Sequence, residues 1–318
     1  MYFHTGTMVE QSRPDLDFAL NLDFSEILTN PILDIAARFW EDERYEAFRV
    51  CYRSMRIIDD LVDNRKATGS AISEMERKQY GRMIADWVDS IRRRRPSDDF
   101  QEKLIVTIER FRIPAWPWEK LASAMIYDLA QDGYPTFSAF LRYCEGAAVA
   151  PASVFMHLCG VIEENGVYGK PLFDSRKAAR PLAIFSYLVH IVRDFQKDQK
   201  NNLNYFAHDV SLRHGLTTAS FREIAETGEV SQSFRNLIVQ YQGFAEYHRR
   251  KARTAIDRIL PHLKARYQLS LEVIYGLYLQ IFERIDPQAG SFSTSELNPG
   301  PGEIQNRIDR TIATFQPV

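Results

Sequence analysis

Five aspartates carry the chemistry this sequence can do. Asp59, Asp60 and Asp63 form a DDxxD cluster, and Asp194 and Asp198 form a second pair far downstream. On a helix, positions i, i+3 and i+4 share one face with Cβ atoms about 5–6 Å apart, so each cluster aims its carboxylates one way. Like charges so placed destabilise a bare helix, and aspartate is only a modest helix former. The neighbours are apolar: Ile57, Ile58, Leu61 and Val62 around the first cluster, and Leu182, Ile184, Phe185, Leu188, Val189, Ile191 and Val192 ahead of the second. Acids at the end of that second helix also oppose its dipole. Such carboxylates call for a cation between them. Oxygen-only ligands select hard cations, and magnesium fits best because it accepts few carboxylates, keeps waters and completes its shell with phosphates. A plainer alternative pairs the acids with Arg56, Arg65, Arg193 and Lys197 at the surface. One DDxxD alone leaves that open, whereas two clusters on apolar helices point to a shared cation site across a cavity.

The elements that must position these acids read as helices. Apolar residues recur at three- to four-residue steps from Ile32 to Asn64 (Ile35, Phe39, Phe48, Tyr52, Met55, Ile58). A loop follows over Thr68–Ser73, where Ser73 and Glu76 make a capping box. The helix it opens runs to Arg92–Arg95 and stops at Pro96, and the four arginines read as a solvated helix end ahead of the alternative, a diphosphate or membrane-surface contact. Further helical patterns span Asp99–Phe111, Pro117–Ala130, Thr136–Leu158, Asp174–Asp198, Ser220–Thr227, Ser231–Pro261, Leu269–Ile285 and Glu303–Ala313. No run of alternating strands, internal repeat or linker interrupts them. The expectation is an all-α protein, with residues 1–24 an irregular arm and 25–318 one domain.

Composition narrows the function classes. A net charge of −2 gives no reason to expect a nucleic-acid partner, since phosphate binding at scale needs a basic surface. Three cysteines, none in a CxxC pair, argue against a disulfide scaffold or structural zinc and fit a reducing, cytoplasmic setting. No stretch approaches the roughly 20 apolar residues of a membrane span, and no signal-peptide pattern opens the chain. Contact with a membrane would be peripheral at most, to collect a greasy substrate. No partner protein can be inferred.

The segments around the acids resemble the squalene/phytoene synthase family. Tyr52-Arg53-Ser54-Met55-Arg56-Ile57-Ile58-Asp59-Asp60-Leu61-Val62-Asp63 is similar to its first aspartate-rich motif. Tyr143-Cys144-Glu145-Gly146-Ala147-Ala148 is similar to its Tyr-Cys-x-x-Val-Ala segment, with Asp128-Leu129 upstream. His190-Ile191-Val192-Arg193-Asp194-Phe195-Gln196-Lys197-Asp198 is similar to its second motif, and Tyr205-Phe206 falls where that motif continues. Together they cover roughly residues 30–285 in the family's order. The chain departs at His190 (usually asparagine), at Tyr187 (usually glutamine), at Val149 and Ala152 (usually glycines), at Asn202-Leu203-Asn204, and near Asn30-Pro31-Ile32, where paired serines are usual.

The resemblance implies an isoprenoid synthase bundle around a central apolar cavity. It further implies a prenyltransferase that joins two prenyl diphosphates head to head with magnesium, farnesyl favoured slightly over geranylgeranyl. Asp59, Asp63, Asp194 and Asp198 would hold the metal, with Asp60 and Tyr52 also catalytic. His190 would replace the asparagine as a ligand or outer-shell donor, or else be a satisfied core histidine. Arg56 and Arg193 would meet diphosphate oxygens, although Arg56 could equally pair with Asp60. Tyr205 and Phe48 would face a carbocation, with plain core packing the competing role for Phe48. NADPH use stays open, since this fold binds it without a Gly-rich fingerprint. Two other functions remain: a class I terpene cyclase acting on one diphosphate, and a non-catalytic member serving as a binding protein.

Overall fold

The long periodic segments of the sequence do become helices, but three of them break where side chains demand it. The computed structural model describes residues 16–20, 22–131 and 133–318. In order, the helices are α1 (Asp17–Leu20), α2 (Ile32–Ala37), α3 (Asp42–Ala67), α4 (Glu74–Arg93), α5 (Asp99–Arg110), α6 (Trp116–Ala130), α7 (Phe137–Cys144) and α8 (Ala150–Gly160). They continue with α9 (Ser175–Arg193), α10 (Phe195–Lys200), α11 (His208–Arg213), α12 (Thr218–Thr227), α13 (Gln232–Ile259), α14 (Ala265–Arg284), α15 (Thr294–Leu297) and α16 (Pro301–Thr314).

The segment expected to run unbroken from Ile32 to Asn64 divides at Arg38–Glu41. Phe39 and Trp40 turn fully into the core there, and the Trp40 indole donates to Ser270 Oγ at 3.0 Å. The chain restarts with Asp42 and Glu43 in the first turn of α3, where the helix dipole favours acids. Thr136–Leu158, expected as one helix, contains a π-helical turn at Glu145–Val149 between α7 and α8. Pro151 cannot donate to the carbonyl four residues back, and the widened turn sits just before it. Asp174–Asp198 breaks at Asp194, whose φ of −94° and ψ of 5° end α9 and begin α10.

The Ser73–Glu76 capping box forms as expected, with Ser73 N donating to Glu76 Oε2 at 2.8 Å and Glu76 N to Ser73 Oγ at 3.3 Å. At the other end of α4, exposed Arg92 and Arg93 pair with half-buried Asp89, and exposed Arg94 with exposed Glu109. A two-residue-per-strand hairpin, Glu163–Glu164 against Val167–Tyr168, was not expected. Asn165 and Gly166 both take positive φ at its turn, the residues that turn type selects.

One hydrophobic cluster extends from Leu16 to Phe315. Residues 1–15 of the expected N-terminal arm lie outside the described residues. The part that is described is not irregular throughout: α1 forms one turn, and Leu16, Ala19 and Phe24 are buried in the core. α9 lies at the centre, packed along α13 and α8. Polar ties fix the wall helices: Trp118 of α6 donates to Ser54 of α3 at 2.8 Å, and buried Arg44 of α3 donates to the Leu158 and Val161 carbonyls at the end of α8. Gly146 in the π-turn allows α6 to cross closely, since a Cβ there would lie 2.2 Å from the Lys120 carbonyl oxygen. These helices enclose a cavity of about 780 Å³ between α2, α3, the π-turn, α8, α9, α14 and the start of α16.

Candidate active site

α3 delivers Tyr52, Arg56, Asp59, Asp60 and Asp63 to the cavity at successive helical steps. The Arg56 guanidinium bridges Asp59 and Asp60. One step past Asp63, Lys66 turns to the buried Asp128 of α6 at 2.7 Å. Burial, together with the charges of Asp60 and Asp128, pushes Asp59 above the usual carboxylate range despite Arg56. Burial and the charges of Asp59 and Asp128 do the same to Asp63.

The second cluster is organised around the break at Asp194. Arg193 grips this carboxylate with two bonds, Nε to Oδ1 at 2.7 Å and Nη2 to Oδ2 at 2.8 Å. Nη2 also lies 2.7 Å from His190 Nδ1, and His190 Nε2 lies 3.1 Å from Asp194 Oδ2. A guanidinium only donates, so Nδ1 accepts and the imidazole proton sits on Nε2, facing Asp194. Burial and the adjacent Arg193 lower the His190 pKa to about 4, so the ring is neutral. Burial opposes ionisation of Asp194, but the Arg193 bonds outweigh it and hold the group below the ordinary range.

Asp198, one turn on, is the opposite case. Its Oδ2 is buried without a hydrogen-bond partner, and burial plus the charges of Asp194 and Asp63 raise its pKa to about 8. Asp63 and Asp198, one from each cluster, line the same cavity.

An unpaired buried carboxylate oxygen beside acids of raised pKa is a site deficient in positive charge, so the residues present fit a divalent cation. Among the described residues no three His, Cys, Asp or Glu side chains converge tightly enough to chelate an ion alone. A metal held here must therefore share its shell with water or substrate oxygens, which is how magnesium is commonly bound.

Away from the acids the cavity is greasy, walled by Ile35, Phe155, Met156, Leu182, Leu277 and Ile281. Tyr143, Tyr187, Tyr205 and Tyr278 also line it. Burial raises the pKa of all four, so they present neutral hydroxyls and π-faces.

The sequence profile of squalene/phytoene synthases matches residues 34–297, a span that takes in both acid clusters, all the cavity's wall helices except α2's first turn and α16, and the π-turn. The chain belongs to the squalene/phytoene synthase family. Members of this family are prenyltransferases that bind prenyl diphosphates. The chain is 21% identical over 245 residues to a phytoene synthase of Arthrospira platensis, covering 76% of this chain and 75% of that one. In fold it is similar to a crystallised dehydrosqualene synthase (TM-score 0.64, 15% identity, 92% of this chain and 95% of that one). It is also similar to a squalene synthase from Alicyclobacillus acidocaldarius (TM-score 0.52, 15% identity, 77% and 97%). The all-α isoprenoid synthase fold follows.

Among the residues nominated from sequence for this synthase site, the structure brings Asp59, Asp60, Asp63, Asp194, Asp198, Tyr52, Arg56, Arg193, His190 and Tyr205 to one cavity. Two need correction. Phe48 does not line it: the ring is buried between Trp40 and Phe155 and stacks on Tyr52 at 5.4 Å, backing the tyrosine that does. His190 lines it, but both ring nitrogens are engaged by Arg193 and Asp194, so as placed it has no lone pair free for a metal. Arg56 bonds both Asp59 and Asp60, more than the single Asp60 contact foreseen.

Sequence reasoning did not nominate Tyr143, Tyr187 or Tyr278. The first two stand at motif positions and could have been found there. Tyr278 on α14 carries no local signal and reaches the site only through packing.

Proposed function

We propose that this enzyme condenses two prenyl diphosphates head to head with magnesium, and that the substrate is farnesyl rather than geranylgeranyl diphosphate. The observation that carries this reading is the meeting of two acid clusters at one end of a single apolar cavity. Buried bulky side chains (Ile35, Phe155, Met156) line a cavity of about 780 Å³ that has to hold two chains, which favours the shorter substrate. The continuous core supports treating residues 25–318 as one catalytic domain.

Asp59, Asp63, Asp194 and Asp198 would hold magnesium, which supplies Lewis acidity for diphosphate departure when bound. Arg193 and His190 fix the Asp194 carboxylate so that its orientation does not change when substrate arrives. Arg56, on the cavity rim, is free to exchange a carboxylate for diphosphate oxygens, a charge-assisted contact. The apolar walls exclude water from the allylic cation left behind. Tyr52, Tyr143, Tyr187 and Tyr205 offer it π-faces without a competing nucleophile, since their hydroxyls stay protonated.

The test is incubation with magnesium and labelled farnesyl diphosphate. Diphosphate release with a thirty-carbon product supports the reading, and a fifteen-carbon cyclic product would make the protein a terpene cyclase. No release with either chain length would leave a non-catalytic binding protein, against which stands the buried Asp198 Oδ2 with no hydrogen-bond partner.

A further inference from the structure

α8 has a cavity on each side. Its Ala152, Phe155 and Met156 face the one described above, while Ser153, Val154 and His157 line a second of about 300 Å³. The lining of this second cavity combines the rings of Trp116 and Phe173 with three cations, Arg112, Lys170 and Arg176. The three cations come from separate segments: the α5–α6 turn, the exit of the hairpin and the first turn of α9. Arg176 lies over the Trp116 ring, 5.0 Å from its centroid.

Among the described residues neither Arg112 nor Lys170 has an ion-pair partner. The one acid in the lining, Asp174, is committed to α9: it accepts from the Lys177 amide at 3.0 Å and lies 3.6 Å from Lys177 Nζ. Arg112 also occupies an unusual backbone position. Its φ is 51°, just past the end of α5, where the Ile113 amide closes back on the Ile108 carbonyl at 2.9 Å. Glycine is the residue that turn favours, so the turn itself gives no reason for an arginine.

We propose that this second cavity binds a phosphate monoester with a compact apolar or aromatic body. The dianion sits on Arg112 and Lys170, and the body rests on Trp116 and Phe173. Guanidinium and ammonium groups from separate segments suit a phosphate better than a single carboxylate, because several oxygens can be met at once. Arg176 also bonds Glu145, the first residue of the π-turn, at 2.7 Å. A bound phosphate competes for that arginine, so occupancy is felt at the wall of the main cavity. The binding stands whatever the main cavity catalyses.

The experiment titrates phenyl phosphate into the full chain by calorimetry without divalent metal. The expected result is one saturable site whose affinity falls at least tenfold in Arg112→Gly/Lys170→Ala and is unchanged in Arg56→Ala. Glycine is favoured at the left-handed position, so the variant should melt no lower than wild type on that account. A flotation arm compares phosphatidylcholine vesicles with and without phosphatidic acid. Retention that needs phosphatidic acid and is lost in the double variant assigns the site to a lipid headgroup; phenyl phosphate binding without retention assigns it to a soluble ester. Absence of both, or a loss in Arg56→Ala in place of the double variant, overturns the proposal.

Discussion

Asp194 and Asp198 sit one helical turn apart and titrate in opposite directions, because Arg193 bonds the Asp194 carboxylate twice while Asp198 Oδ2 is buried without a hydrogen-bond partner. The Asp198 pKa is raised from 3.8 to about 8, so between those values the folded protein binds a proton that the unfolded chain releases. Stability of the metal-free protein should therefore fall as pH rises through that window. Asp198→Asn removes the slope. We expect it to raise stability by roughly 1–3 kcal/mol at pH 8 and by much less at pH 4, while abolishing turnover. Denaturant melts at the two pH values check this, and equal effects at both would show that the carboxylate is not protonated in the fold. Magnesium binding should release a proton near neutral pH, seen as a buffer-dependent heat in calorimetry. For His190, which orients Asp194 without a free lone pair, His190→Ala should weaken magnesium affinity or activity by about 10–100-fold. A loss as complete as that of Asp194→Ala would instead make the ring a ligand.

At the scale of elements, the breaks matter more than the helices. The π-turn at Glu145–Val149 brings Ala147 and Ala148 to the cavity wall while Gly146 lies against α6. Adding a methyl at Gly146 meets backbone, which cannot rotate away. Gly146→Ala should lower stability by about 1–3 kcal/mol or more and disturb activity as the wall shifts, measured by thermal melting beside steady-state kinetics. A variant as stable as wild type would show that α6 has room to withdraw. Phe48→Ala belongs to the same scale. Since the ring is packed between Trp40 and Phe155, the change should cost about 3–5 kcal/mol of stability, and activity should fall through loss of support to Tyr52.

At the scale of the molecule, the chain closes helices from its two halves over one hollow, with acids at one end and grease along the rest. Ligands that bind only the closed fold raise its melting temperature by mass action. Magnesium with inorganic diphosphate should do so for wild type and not for Asp59→Asn/Asp198→Asn, as a thermal-shift series would reveal. An equal shift in both would place the ions elsewhere. Among the described residues no helix is long and apolar enough to cross a membrane.

The sequence alone determined that the protein is helical, that its two acid clusters lie on apolar faces, and which capping box starts α4. Each of these follows from local spacing, which a helix converts directly into a shared face. It also carried the family motifs, because those are short and contiguous. Whether Phe48 or its neighbour Tyr52 meets the cavity was not legible, since both fall within the same apolar stripe and only the opposing α8 decides which is covered. Nor was the split between Asp194 and Asp198, which depends on how the backbone turns at residue 194 and on how Arg193 folds back. Tyr278 reaches the acids from α14, far along the chain. Contacts of that kind are made by packing helices against one another, and no periodicity within a single helix records its partner.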